Sequence, residues 1–93
     1  MAIYTVDQIR TGVIETVADI AECEPSDIND TTRFADDLGL DSLAAAELMV
    51  SMERKYRIRI PEEEFKKISS VNEAVAAIHR HANAAGEQTE LVP

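Results

Sequence analysis

Asp36-Asp37-Leu38-Gly39-Leu40-Asp41-Ser42-Leu43 is the stretch where the chain changes character. On its N-terminal side lie Pro25, Asp27, Asn29, Asp30 and Gly39, residue types that favour turns over regular structure. On its C-terminal side apolar residues recur at helical spacing. The octapeptide is therefore a loop becoming a helix. It predicts a helix from Asp41 or Ser42 to about Tyr56, with either residue able to cap it. It also places the Ser42 hydroxyl directly after an acid. No His or Cys follows nearby to act as a base. A serine displayed without a base reads as a group modified by another protein, not as a nucleophile.

The helix has two apolar faces. At 100° per residue, Ala45, Leu48, Met49, Met52 and Tyr56 share one side, and Leu43, Ala46 and Val50 share the other, edged by Glu47, Glu53 and Arg54. The first stripe is larger and is expected to face the core. The second starts beside Ser42 and is either sandwiched or kept for a partner.

Upstream, Thr5-Val6-Asp7-Gln8 fits a capping box. Val6, Ile9, Val13, Val17 and Ile20 then form one stripe, predicting a helix over 6–21. A long connection from Glu22 to about Leu40 follows, with one turn near Ser26-Asp27-Ile28 and with Ile28, Phe34 and Leu38 as anchors. A connection of that length in a small domain is usually functional or well anchored. Downstream, Arg57-Ile58-Arg59-Ile60-Pro61 looks extended but too isolated for a sheet. Pro61 suits the start of a short helix, with three glutamates at the favourable end of its dipole and Phe65 and Ile68 inward. Ser70-Val71-Asn72-Glu73 is a second capping box. It opens a helix whose inner face is Val71, Val75, Ile78 and Ala82, with His79, Arg80 and His81 in its last turn. Residues 84–93 lack periodicity and are expected to be a disordered tail. The fold class is all-α: a four-helix bundle with three main helices, one short third helix and a long first loop.

Size and charge narrow the function. Ninety-three residues make one small domain. Its single cysteine, Cys23, excludes an internal disulfide and reads as a small, partly buried hydrophobe. No run approaches the ~18 apolar residues of a membrane span. The N-terminus lacks a signal-peptide pattern, so the chain is read as cytoplasmic. The net charge is −9, distributed as −10 over residues 1–53 and +1 over 54–93. Such a surface repels phosphate backbones, which argues against nucleic acid, and it suits docking to basic patches on proteins.

The chemistry is equally selective. Taken alone, Ser42 is as good a helix cap as Asp41. A phosphodiester at that hydroxyl would also sit at the positive end of a helix, where N–H groups favour an anion. Asp36, Asp37 and Asp41 lack the ligand spacing of a calcium loop. Asp36 and Asp37 are expected to be solvated loop acids, not an acid–base pair. His79 and His81 are two residues apart and point to different helix faces, a poor metal pair. No catalytic triad and no metal-ligand spacing occurs, so neither catalytic residues nor a metal site is expected.

Asp37-Leu38-Gly39-Leu40-Asp41-Ser42-Leu43 resembles the attachment signature of acyl carrier proteins. The resemblance extends over about residues 5–83, supported by Glu47-Leu48, by Tyr56 where the family is usually aromatic, and by Ile60-Pro61 before the short helix. It implies a carrier domain over residues 1–83, a four-helix bundle, and no enzymatic activity. It implies that Ser42 carries covalent 4′-phosphopantetheine, and that Asp41, Leu43, Ala46, Glu47, Val50 and Glu53 form the partner-docking face. The implied partners are a phosphopantetheinyl transferase and the ketosynthases, acyltransferases and reductases of fatty acid or polyketide-type biosynthesis, met as a monomer away from membranes. The chain departs from the fatty-acid pattern at Ala44, Arg54 and Lys55, where acids are common, and in its longer tail. Asp41 before the serine is unlike peptidyl carriers. The rival class is a helical adaptor that binds one protein through helix two without a cofactor. Ala45, Met49, Met52, Val75 and Ile78 are small or flexible enough to part around a short acyl chain.

Overall fold

The computed structural model describes the backbone of residues 4–91 and the side chains of residues 4–82. Met1, Ala2 and Ile3, part of the signal-peptide reading, lie outside the described residues, as do Val92 and Pro93 of the tail. Four α-helices follow one another: α1 Val6–Ala21, α2 Ser42–Tyr56, α3 Glu62–Phe65 and α4 Val71–Leu91. Among the described residues there are no strands, only an isolated antiparallel bridge between Arg33 and Ser70.

α1 starts where its capping box lies. Gln8 N–H donates to Thr5 Oγ1 at 3.1 Å, and Thr5 N–H donates to Gln8 Oε1 at 2.9 Å. Two of the helix's orphan donors are thus satisfied reciprocally. Ile9, Val13 and Val17 are wholly buried, each such burial worth about 1.5–3 kcal/mol. Val6, expected in that stripe, is 40% exposed on the helix's first turn. α1 packs against both α4 and α2.

Residues 22–41 join α1 to α2, with one 3-10 turn at Pro25–Asp27. Ile28 and Phe34 are buried, while Leu38 is only half-buried. Polar bonds fasten the same segment. Phe34 N–H donates to Ser69 O at 3.0 Å, Val71 N–H to Thr32 O at 3.0 Å and Asn72 N–H to Asp30 O at 2.9 Å. The connection thereby supplies acceptors for the orphan N–H groups at the start of α4. Arg10 of α1 adds an ion pair to Asp30 at 2.8 Å.

Three expectations are corrected. Glu73 closes only half of its box on Ser70, its N–H donating to Ser70 Oγ at 3.4 Å. Its carboxylate takes the N–H and the hydroxyl of Ser69, both at 2.8 Å, so the reciprocal bond lies one residue further upstream. α4 does not stop near Asn83. It continues to Leu91 through residues 84–91, assigned to a disordered tail from sequence, where Ala84, Ala85, Glu87 and Gln88 are good helix formers around the single Gly86. His79, Arg80 and His81 therefore occupy the middle of a helix and not its C-terminal turn. His81 Nε2 lies 2.7 Å from Glu64 Oε1, and Arg80 pairs with the same carboxylate. Burial, and then Arg80, push the His81 pKa down, and the His81–Glu64 contact ties α4 to α3.

Candidate functional site

The site grows from the start of α2. Asp41 caps the helix with extended backbone, its Oδ1 accepting from Ala44 N–H at 2.8 Å. This resolves the ambiguity between Asp41 and Ser42. Because the carboxylate does the capping, the Ser42 hydroxyl is left exposed and makes no hydrogen bond among the described residues. The N–H groups of Ser42 and Leu43 also take no partner there, so the positive end of α2 opens to solvent at the serine.

The loop before it is held tightly. Leu40 N–H donates to Phe34 O at 2.9 Å, and Gly39 N–H to Ala35 O at 3.0 Å. Gly39 has φ +68°, a left-handed conformation that suits glycine. Asp37 is part of this frame, its Oδ2 accepting from Arg33 N–H at 2.7 Å. Asp36 lies 3.6 Å from the Arg33 guanidinium in an exposed pair. The two acids thus have separate local roles. Among the described residues no group of three or more His, Cys, Asp or Glu side chains is placed to hold a metal ion.

Ser42 stands at the rim of a largely apolar cavity of about 220 Å³. Ala45 and Met49 line it, as the sequence suggested for an interior that parts. Met52, Val75 and Ile78 do not. They are buried in the closed core, and the other walls are Phe34, Leu40, Leu48, Phe65 and Ile68. The sequence reading had placed Phe65 and Ile68 inward without linking them to Ser42.

The second face of α2 is open. Leu43 is 70% and Val50 45% exposed, and Ala46 and Glu47 lie between them on the surface. Glu53 differs from the other five docking candidates. It is half-buried, and its Oε2 accepts from Ile60 N–H at 2.9 Å, which holds the 57–61 segment against α2.

A family model described as "Phosphopantetheine attachment site" matches residues 11–78, most of the chain and the whole of this site. The chain belongs to the acyl carrier protein family. Its similarity to the acyl carrier protein of Acidothermus cellulolyticus is 38% identity over 69 residues, 74% of this chain and 82% of that protein. The meromycolate extension acyl carrier protein of Mycobacterium tuberculosis is 36% identical over 76 residues, 82% of this chain and 66% of that one. In structure it is similar to the apo doublet acyl carrier protein from prodigiosin biosynthesis. The TM-score is 0.70 at 27% identity, over 81% of this chain and 36% of the doublet.

The cofactor of this acyl carrier protein is 4′-phosphopantetheine, and the protein carries acyl groups without catalysing their chemistry. It works with acyl-processing enzymes and a phosphopantetheinyl transferase. The residues present fit the group. A phosphodiester at Ser42 would meet unpartnered N–H donors at a helix N-terminus, beside an apolar cavity. Among the described residues no helix is long and apolar enough to cross a membrane.

Proposed function

We propose that Ser42 is the attachment point of the arm. The observation carrying this reading is the exposed, unbonded Ser42 hydroxyl, left free because Asp41 does the capping. In the loading step Ser42 Oγ attacks the pantetheine-bearing phosphorus of coenzyme A. The new P–O bond replaces the bridging one, and 3′,5′-adenosine bisphosphate leaves. No imidazole or amine adjoins Ser42 in sequence, so its proton passes to a base on the transferase. Once attached, the arm supplies a thiol that holds an acyl group as a thioester. The protein's own contribution is delivery, raising the cargo's effective concentration at each enzyme.

Asp41, Leu43, Ala46, Glu47, Val50 and Glu53 form the docking face in this reading. The exposed apolar strip of Leu43, Ala46 and Val50 supplies contact area, and Asp41 and Glu47 supply charge. Glu53 acts less as a direct contact than as the brace for residue 60. The partners in this reading are ketosynthases, acyltransferases and reductases of fatty acid or polyketide-type biosynthesis; the relatives include carriers of meromycolate extension and of prodigiosin biosynthesis. The carrier unit is a four-helix bundle with a long first loop, acting as a cytoplasmic monomer. Such docking is weak and salt-sensitive, since each enzyme must release the carrier.

Intact mass spectrometry tests the assignment. Incubation with coenzyme A and a broad-specificity phosphopantetheinyl transferase is expected to add the mass of one arm, and Ser42→Ala to abolish the gain. An unchanged wild-type mass would favour the cofactor-free adaptor instead.

A further inference from the structure

The docking strip does not end at Val50. That residue is shared between the shallow surface of Leu43, Ala46 and Glu47 and a groove of about 660 Å³ where α2 meets the 57–62 segment. Ile58 and Ile60 lie buried in its floor, and Glu53 and Glu62 stand in its lining. Arg54 and Arg59 line it, both exposed, and neither has an ion-pair partner among the described residues. The two acids of the lining bond elsewhere and make no direct pair with either guanidinium. Glu53 is bonded to Ile60 N–H, and Glu62 stands 3.8 Å from Lys66. Lys55 is turned the other way, with its aliphatic stem over Gly12 of α1.

One face of α2 is therefore bipolar. Asp36, Asp37, Asp41 and Glu47 gather at the Ser42 end, and two guanidiniums without an ion-pair partner among the described residues flank a groove floored by Ile58 and Ile60 at the other. Twelve residues separate Ser42 from Arg54, about 18 Å at 1.5 Å per residue. Guanidinium groups are well matched to carboxylates, which they can hold bidentately.

We infer that the Arg54–Arg59 groove is a second docking subsite, which takes a carboxylate-bearing segment of an acyl-processing partner enzyme. It rests on the carrier reading for the partner's class, though not for the charge preference itself. The cognate enzyme then presents bases around its entrance for Ser42 and acids about 18 Å away along the α2 axis. An enzyme whose whole docking surface is basic fits the Ser42 end and is repelled at the groove.

The test is an amide chemical-shift titration of the full-length holo protein. The probe is a capped helical peptide of glutamate and leucine, with a glutamine-for-glutamate analogue as control. Saturable shifts are expected at Val50, Arg54 and residues 58–60 with the acidic peptide and not with its analogue. R54Q/R59Q is expected to weaken binding at least about fivefold, the order of two lost exposed charge pairs. K67Q is expected to leave it unchanged. Shifts spread evenly over all surface cations, undiminished binding in R54Q/R59Q, or no saturable shift at all would each overturn the inference. The mass gain at Ser42 is read on the same samples, so a failure of arm loading is distinguished from a failure of the groove.

Discussion

The Tyr56 hydroxyl stands against the backbone of Gly12, in the space that a Cβ at position 12 would occupy. Tyr56 closes α2, is 5% exposed and takes the ring of Tyr4 edge-on at 4.8 Å, so it has little room to move aside. Its buried hydroxyl has no hydrogen-bond partner among the described residues. Alanine at an ordinary helix position is worth about 0.5–1 kcal/mol over glycine. Here Gly12→Ala is expected to cost about 1–3 kcal/mol through overpacking. Tyr56→Phe alone is expected to be neutral or mildly stabilising, since it removes an unmet polar group. In the double variant most of the Gly12→Ala cost disappears. Denaturant unfolding of all four proteins measures this coupling.

Glu73 sets an acid-side prediction. The Ser69 N–H, then the Ser69 hydroxyl, hold its carboxyl below the ordinary 4.5. A depressed folded pKa contributes stability that is present above 4.5 and is lost as pH falls through the folded value. Glu73→Gln keeps an acceptor oxygen without the titration. Its unfolding free energy is expected to depend less on pH below about 4.5, with little change at pH 7. Equal slopes for the two proteins below that pH would contradict the assigned role.

Thr32 is the buried polar side chain of the connection, 6% exposed, and its Oγ1 accepts from Asn29 N–H at 2.9 Å. Thr32→Val keeps the shape and leaves that donor unmet. A loss of about 1–2 kcal/mol is expected, measured by thermal or denaturant unfolding. Amide exchange should quicken at Val71 and Asn72, whose N–H groups bond to this segment.

The cavity beside Ser42 gives a prediction about cargo. Comparing amide shifts of the holo protein with and without a medium-length acyl chain, we expect changes at Phe34, Met49, Phe65 and Ile68, which wall it. Val75 and Ile78 should move little, because they sit in the closed core. Changes confined to the surface around Ser42 would exclude entry.

Local chemistry made much of this legible in sequence. The bounds of α1 and α2 follow from Thr5, Gln8 and Asp41, whose capping bonds span three residues, and the two faces of α2 follow from helical period alone. Contacts made across the fold were not legible. Gly12 has meaning only once Tyr56 is folded against it. Glu53 reads as a surface acid until the chain turns back and brings Ile60 N–H to its carboxylate. Glu73 keeps Ser70 as the acceptor for its N–H, but its carboxylate reaches one residue further, to Ser69. The bridge between Arg33 and Ser70, and the Phe34–Ser69 bond beside it, hold both serines at the start of α4. At the site, sequence located Ser42 and the exposed strip. The cavity walls on α3 and the following turn needed the packing of the short helix.

The central claim is tested most directly on protein isolated from its own cell. Trypsin releases residues 34–54 as one peptide, bounded by Arg33 and Arg54, with Ser42 and Ser51 as its two hydroxyl side chains. Fragment mass spectra of that peptide are expected to place one 4′-phosphopantetheine on Ser42 and none on Ser51. An arm on Ser51, or a peptide that never bears one, would contradict the account.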